Sequence, residues 1–115
     1  MMVNNRGTYI YTPVWELVLI YMYRNEDYKE INGSLISREI GMTLSLCYHI
    51  LKEFEGMEII DRIGKKGRRV YYRLNIDGKL LCESLEKIYS IMGINIARIL
   101  EERKNENKNK KTRKR

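Results

Sequence analysis

Residues 34–75 read SLISREIGMTLSLCYHILKEFEGMEIIDRIGKKGRRVYYRLN, and the order of signals within them decides the fold. Ser34 is suited to cap a short helix whose apolar Leu35, Ile36 and Ile40 recur at helical spacing. Gly41 suits the left-handed residue that ends it. Thr43 then caps a second helix running to about Glu55 and closed by Gly56. Two short helices joined by a tight Gly41-Met42 turn make a helix-turn-helix candidate. Beyond it lie two β-rich runs, Ile59 to Ile63 and Arg69 to Asn75, separated by the turn Gly64-Lys65-Lys66-Gly67. Along the second run Val70, Tyr72 and Leu74 face one way and Arg69, Tyr71 and Arg73 the other, the period of a half-buried strand. The pair predicts a β-hairpin with a cationic tip.

Upstream, Pro13 sits where a first helical turn tolerates proline, after Thr12 as a cap, and Val14, Leu17, Val18 and Tyr21 follow at helical spacing. A helix from Pro13 to about Arg24 is expected. Asn25 to Gly33 is polar and turn-like apart from Ile31, a one-bridge strand. Downstream, the helical pattern returns from about Ile76 to Arg103, with Leu81, Leu85, Ile88, Met92, Asn95 and Ile99 spaced alternately by four and three. Such a seam is long for packing on so small a body, and a second copy of the chain is the partner it predicts. The expected dimer contacts are Leu81, Leu85, Ile88, Met92, Ile96 and Ile99. In the competing reading, Leu81, Leu85 and Ile88 only close the subunit's own core.

The fold class that follows is mainly α with a small β-hairpin: a winged helix-turn-helix with a long C-terminal dimerisation helix at about 76–103. With 115 residues the chain holds one compact domain, assigned here to residues 1–103, followed by a basic tail at 104–115. The tail is low in complexity and is expected to be disordered. It also carries the whole net charge of +7, with eight Lys/Arg and one Glu from Arg103 to Arg115, against 14 basic and 14 acidic side chains before it. Inside that neutral body, Arg62, Lys65, Lys66, Arg68, Arg69 and Arg73 form a basic run without one acid.

Several classes are disfavoured. The longest apolar stretch, Leu17 to Tyr23, is far below the ~20 residues that span a bilayer, and the first residues lack a signal-peptide pattern. A soluble, cytoplasmic protein is expected. Cys47 and Cys82 form no CxxC and no Cys/His cluster, so neither a disulfide framework, a metal site nor a cofactor is encoded locally. His49 and Cys47, two residues apart on one helix, diverge by ~200° and cannot act as a nucleophile-base pair. No Gly-rich phosphate loop and no paired-carboxylate motif stands out, and enzymatic activity is not expected.

At Met42 to Phe54 (MTLSLCYHILKEF) and Gly67 to Asn75 (GRRVYYRLN) the chain resembles winged-helix transcription regulators of ArsR and MarR type, and more broadly small crenarchaeal viral winged-helix proteins. The resemblance spans roughly Ser34 to Leu85. It implies a homodimeric regulator whose third helix reads DNA while hairpin arginines and lysines meet the phosphates. Metal-sensing ArsR proteins carry a cysteine pair or His/Asp clusters that this sequence lacks, so the resemblance does not extend to a metal sensor.

The third helix sorts by its own geometry at ~100° per residue. Cys47, Ile50, Leu51 and Phe54 share one arc and are expected to pack inward, while Ser45, Tyr48, His49 and Lys52 fall opposite. Those four are the candidates for a major groove ~12 Å wide, with Thr43 capping the helix end that favours a phosphate. Lys65, Lys66, Arg68 and Arg69 are the candidates for backbone or minor-groove contact. Two dimer-related helices would then meet a near-palindromic site with half-sites ~10 bp apart or a multiple of it. Two other readings use the same features: a winged helix that docks an acidic protein partner, and a nonspecific architectural DNA binder driven by the tail.

Overall fold

The computed structural model describes residues 2–3, 9–10 and 12–113, with side chains from Thr12 to Lys108. Two short strands, β1 (Met2–Val3) and β2 (Tyr9–Ile10), pair antiparallel. The chain then enters α1 (Val14–Asn25), in which Leu17, Val18, Leu19, Ile20, Tyr21 and Met22 are all buried. A helix apolar on every side must be enclosed, and the remaining elements do that. Pro13 is itself the residue before the helix, with extended ψ, and no side chain caps it, so Thr12 does not play the expected role.

Ile31 and Asn32 form β3 (Ile31–Asn32), a full two-residue strand, and α2 (Gly33–Ile40) follows at once. Its cap is Asn32, whose carboxamide oxygen accepts the Leu35 N–H at 2.8 Å. Ser34, the expected cap, lies exposed in the first turn, because Ile31 must stay in the sheet and Asn32 already leaves it in extended geometry. Gly41 ends α2 in the left-handed conformation (φ +73°), as its position predicts. Thr43 caps α3 (Leu44–Gly56), accepting the Leu46 N–H at 3.2 Å. The end of α3 differs from expectation: Gly56 stays helical, and the left-handed residue is Glu58 at φ +58°. The Ile59 N–H reaches back to the Phe54 carbonyl, so the closure a glycine usually makes is here made by a glutamate.

The hairpin comprises β4 (Ile60–Lys66) and β5 (Arg69–Leu74), and with β3 it forms a three-stranded antiparallel sheet in the order β3-β5-β4. Ile31 pairs with Tyr72 and Asn32 with Tyr71, which stitches the sheet to the start of the helix-turn-helix. Tyr72 and Leu74 are buried and Arg69 and Arg73 exposed, as the alternation requires, while Val70 and Tyr71 sit half-buried.

The C-terminal region is not one helix. α4 (Ile76–Ile91) stops at Gly93, which is left-handed at φ +72°, with the Ile94 N–H returning to the Tyr89 carbonyl. Asn95 then caps α5 (Ile96–Arg113) by accepting the Arg98 N–H. The expected continuous seam is therefore broken in its middle. Asn95 is a cap rather than a seam position, and Leu85, Ile96 and Ile99 are buried in the subunit's own core. The final helix also runs on to Arg113, through residues expected to be disordered.

Side-chain contacts join α4 to α1, among them a Tyr23 hydroxyl that donates to Glu83 at 3.3 Å. Arg24 donates twice to Glu86 at 2.7 and 2.9 Å, the Tyr89 hydroxyl donates to Glu16, and the Cys82 thiol donates to the Leu19 carbonyl at 3.3 Å. Across the core the Cys47 thiol donates to the Gly33 carbonyl at 3.4 Å. Burial pushes both thiols up, Cys47 to about 11 and Cys82 to about 12.

Two substitutions test these assignments by urea unfolding. Glu58→Gly removes a left-handed non-glycine residue and is expected to stabilise the protein by about 0.5–1 kcal/mol. Gly78→Ala places a Cβ 2.2 Å from the Ile59 carbonyl oxygen, where backbone cannot yield, and is expected to cost about 1–3 kcal/mol.

Candidate nucleic-acid interface

α3 presents the stripe the sequence predicts. Thr43, Ser45, Tyr48, His49 and Lys52 are exposed, while Cys47, Ile50, Leu51 and Phe54 are buried. The stripe has two flanks. Tyr48 lies on the flank towards α2 and the sheet, its ring over Gly33, where a Cβ would come within 2.6 Å of Cε1. His49 lies on the other flank, lining an apolar cleft of about 400 Å³ with Trp15, Glu53, Phe54, Met57 and Leu81. Ser45 and Lys52 run along the middle. Leu44 and Leu46 are also exposed at the start of α3, 44% and 42%, and the sequence reading placed them on neither arc. Apolar side chains here can meet a thymine methyl.

The wing is longer and its tip tighter than the sequence implies. β4 continues through Gly64, Lys65 and Lys66, so the turn is Gly67-Arg68 alone rather than the four residues from Gly64 to Gly67. Gly67 has φ +61° at the first central position, the backbone that two-residue hairpins of type II′ require. A bulge between Arg62 and Gly64 gives the extra residue Ile63 no partner and adds local twist. Lys65 stands opposite Val70 and Lys66 opposite Arg69, so Lys65 and Lys66 point to opposite faces of the hairpin.

All four wing candidates, Lys65, Lys66, Arg68 and Arg69, are exposed, but the basic run is not bare. Arg62 donates twice to Glu55 of α3, at 2.8 and 3.2 Å, and its guanidinium lies 6.0 Å from the Tyr72 ring centroid. Lys66 donates to both oxygens of Glu30 at 2.7 and 3.0 Å and sits 5.7 Å from the Tyr71 ring centroid. These hydrogen bonds and charges raise both pKa values, so both side chains stay protonated. Glu55 and Glu30 escape a scan of the basic run because they come from α3 and from the approach to β3. The Arg62–Glu55 pair ties the wing base to the C-terminal half of α3.

The dimer candidates separate. Leu85, Ile96 and Ile99 are buried within the subunit, Leu81 and Met92 are half-buried, and Ile88 is exposed. The outer face of α4 instead exposes Ile76, Leu80, Ile88 and Ile91, residues spaced for one side of that helix. Among the described residues no cluster of three His, Cys, Asp or Glu could hold a metal ion, and no helix is long and apolar enough to cross a membrane.

This architecture is shared with solved structures of low identity. AF1382 from Archaeoglobus fulgidus superposes with a TM-score of 0.67 at 18% identity, over 75% of this chain and 94% of that one. MepR of Staphylococcus aureus, a transcription regulator of the multidrug efflux pump MepA, gives 0.65 at 21% identity, over 89% and 73%. Streptococcus pneumoniae FabT in complex with DNA gives 0.61 at 19% identity, over 76% of this chain but only 62% of FabT. MepR and FabT are winged-helix regulators of MarR type, one of the two types the sequence resembles. No protein-family model and no curated protein matches the sequence. The likeness establishes the winged-helix fold, mostly helical with a small three-stranded sheet.

Gly33→Ala probes the geometry directly. The added methyl must push the Tyr48 ring aside, so the Tyr48 ring resonances should move in NMR spectra while stability falls by less than about 1.5 kcal/mol. Unmoved resonances would contradict the close approach.

Proposed function

We propose that this chain is a sequence-specific DNA-binding transcription regulator that works as a homodimer, with α3 in the major groove and the wing on the backbone or minor groove. The observation that carries this reading is the exposed stripe Thr43, Ser45, Tyr48, His49 and Lys52 on a helix whose C-terminal half holds the base of a cationic wing through Glu55 and Arg62. Two structural neighbours, MepR and FabT, were solved with DNA, which supports the same use of this fold. Ser45, Tyr48 and His49 are assigned to base edges and sugars, Lys52 and the wing cations to phosphates. The homodimer places its partner on the outer face of α4, where Ile76, Leu80, Ile88 and Ile91 stand in water. The protein needs no catalysis and no cofactor for this role, and it acts in the cytoplasm on double-stranded DNA.

Selection of bound fragments from random duplex DNA tests the reading. A near-palindromic motif with half-sites ~10 bp apart is expected. His49→Ala and Tyr48→Ala should blur that motif, whereas Lys52→Ala should weaken all sequences alike. Failure to retain any duplex at moderate salt would overturn the proposal in favour of a protein-docking role. Sedimentation should give a dimer for the native chain and a monomer for Leu80→Glu with Ile88→Glu.

The ion pairs yield a further expectation. Glu55→Gln and Glu30→Gln release Arg62 and Lys66 from their carboxylates. Each substitution should tighten DNA binding, and each phosphate newly met should steepen the log–log salt slope by about 0.9. Weaker binding by both variants would show that the acids position the cations rather than compete for them.

A further inference from the structure

The end of α5 carries most of the chain's net positive charge, and the fold anchors the helix just before it. α5 crosses α2 and is anchored to its C-terminal carbonyls: the Arg103 guanidinium donates to the Ile40 carbonyl at 2.8 Å and the Asn107 carboxamide to the Arg38 carbonyl at 2.9 Å. These are groups that a helix end leaves without intrahelical partners. Lys104 adds an ion pair to Glu39 at 3.5 Å. Gly41 gives the crossing its closeness, since a Cβ there would sit 3.3 Å from the Arg103 carbonyl oxygen and 3.4 Å from Asn107 Cβ.

Asn107 then lines one shallow cleft with Ser34, Ser37, Arg38, Met42 and Leu44. Leu44 is the first residue of α3. The helix therefore passes the helix-turn-helix corner at the N-terminal end of α3 and continues to Arg113, a further six residues or about 9 Å at 1.5 Å each. Over Lys108 to Arg115 the sequence holds six Lys/Arg and no acid. The wing base is fixed at the opposite end of α3 by Arg62 and Glu55. Two basic elements thus bracket α3, one at each end.

We infer that the C-terminal end of α5 is a second backbone-binding arm, which lies on DNA phosphates beside the N-terminal end of α3 and lengthens the footprint on that side. This rests on the DNA-binding reading above. The arm differs from a loose basic tail in being aimed: the Arg103 and Asn107 anchors hold it in register with the groove that α3 enters. Its contacts are with phosphates, so it adds affinity and orientation without choosing sequence.

The test uses the full chain, a chain ending at Asn107, and a full-length variant with Lys108, Lys110, Lys111 and Arg113 changed to Gln. On the selected duplex, both altered proteins should bind at least about tenfold more weakly at 0.15 M salt, with a salt slope smaller by about 2–4, the loss of two to four phosphate contacts at about 0.9 each. Their selected motif should be unchanged. Position is read with Thr112→Cys carrying an iron chelate that cleaves nearby sugars. The buried Cys47 and Cys82, with thiols pushed up to about 11 and 12, stay unlabelled in the native protein. Cleavage should be confined to a few nucleotides on one side of each half-site. Undiminished slopes in the two altered proteins, or cleavage spread evenly over the duplex, would overturn the arm while leaving the regulator reading intact. Absence of DNA binding by the full chain would overturn both.

Discussion

The enclosure of α1 is the constraint from which the rest of the structure follows. Six consecutive residues of this helix, Leu17 to Met22, are buried, and a domain of this size has little apolar surface to spare for covering them. α2, α4 and β5 pack against α1, and α2 in turn supports α3 and α5. The helix-turn-helix is thereby seated on that body, where the Cys47 thiol of α3 meets the Gly33 carbonyl and the Cys82 thiol of α4 the Leu19 carbonyl. Small polar contacts of that kind fix depth, while apolar burial supplies the drive.

What the sequence made legible was local. Gly41 after an amphipathic turn, Thr43 before another, and the alternation from Arg69 to Leu74 each signal their own conformation, and each forms as read. The third-helix stripe was legible for the same reason, since exposure on a straight helix follows from spacing alone. Misreadings arose where a nonlocal demand overrode a local one. Ser34 is an acceptable cap, but sheet pairing of Ile31 and Asn32 with β5 sets the start of α2 two residues earlier. The apparent heptad from Leu81 to Ile99 was produced by two unrelated requirements in series. Ile94 and Ile96 must enter the core after the reversal at Gly93, and Ile99 must face α2, so an apolar rhythm persists across a corner. Gly93 followed by Asn95 was the signal that a helix stops and another starts.

Electrostatics is likewise divided between what the chain spells out and what the fold assembles. A run of six cations reads as a bare patch, yet Arg62 and Lys66 are each held by an acid and an aromatic ring, while Lys65, Arg68, Arg69 and Arg73 are exposed. Exposed pairs of this kind add little to stability. They join the wing's base to α3 and its upper part to the approach of β3. Lys66 and Arg69 face each other across the strands, and Glu30 offsets the repulsion that two cations in register would cause.

α4 joins these themes, because it is amphipathic twice. One side carries Cys82, Leu85 and Tyr89 into the core, and the other carries Ile76, Leu80, Ile88 and Ile91 outward. The outward stripe repeats about Ser84, with Leu80 four residues before it and Ile88 four after, and with Ile76 and Ile91 further out. A two-fold contact requires one patch to complement itself, and an apolar stripe of this symmetry about a small central residue satisfies that when two copies run antiparallel. The break at Gly93 makes this division of labour possible. The turn sends α5 back across α2 to finish the core and leaves one whole face of α4 exposed.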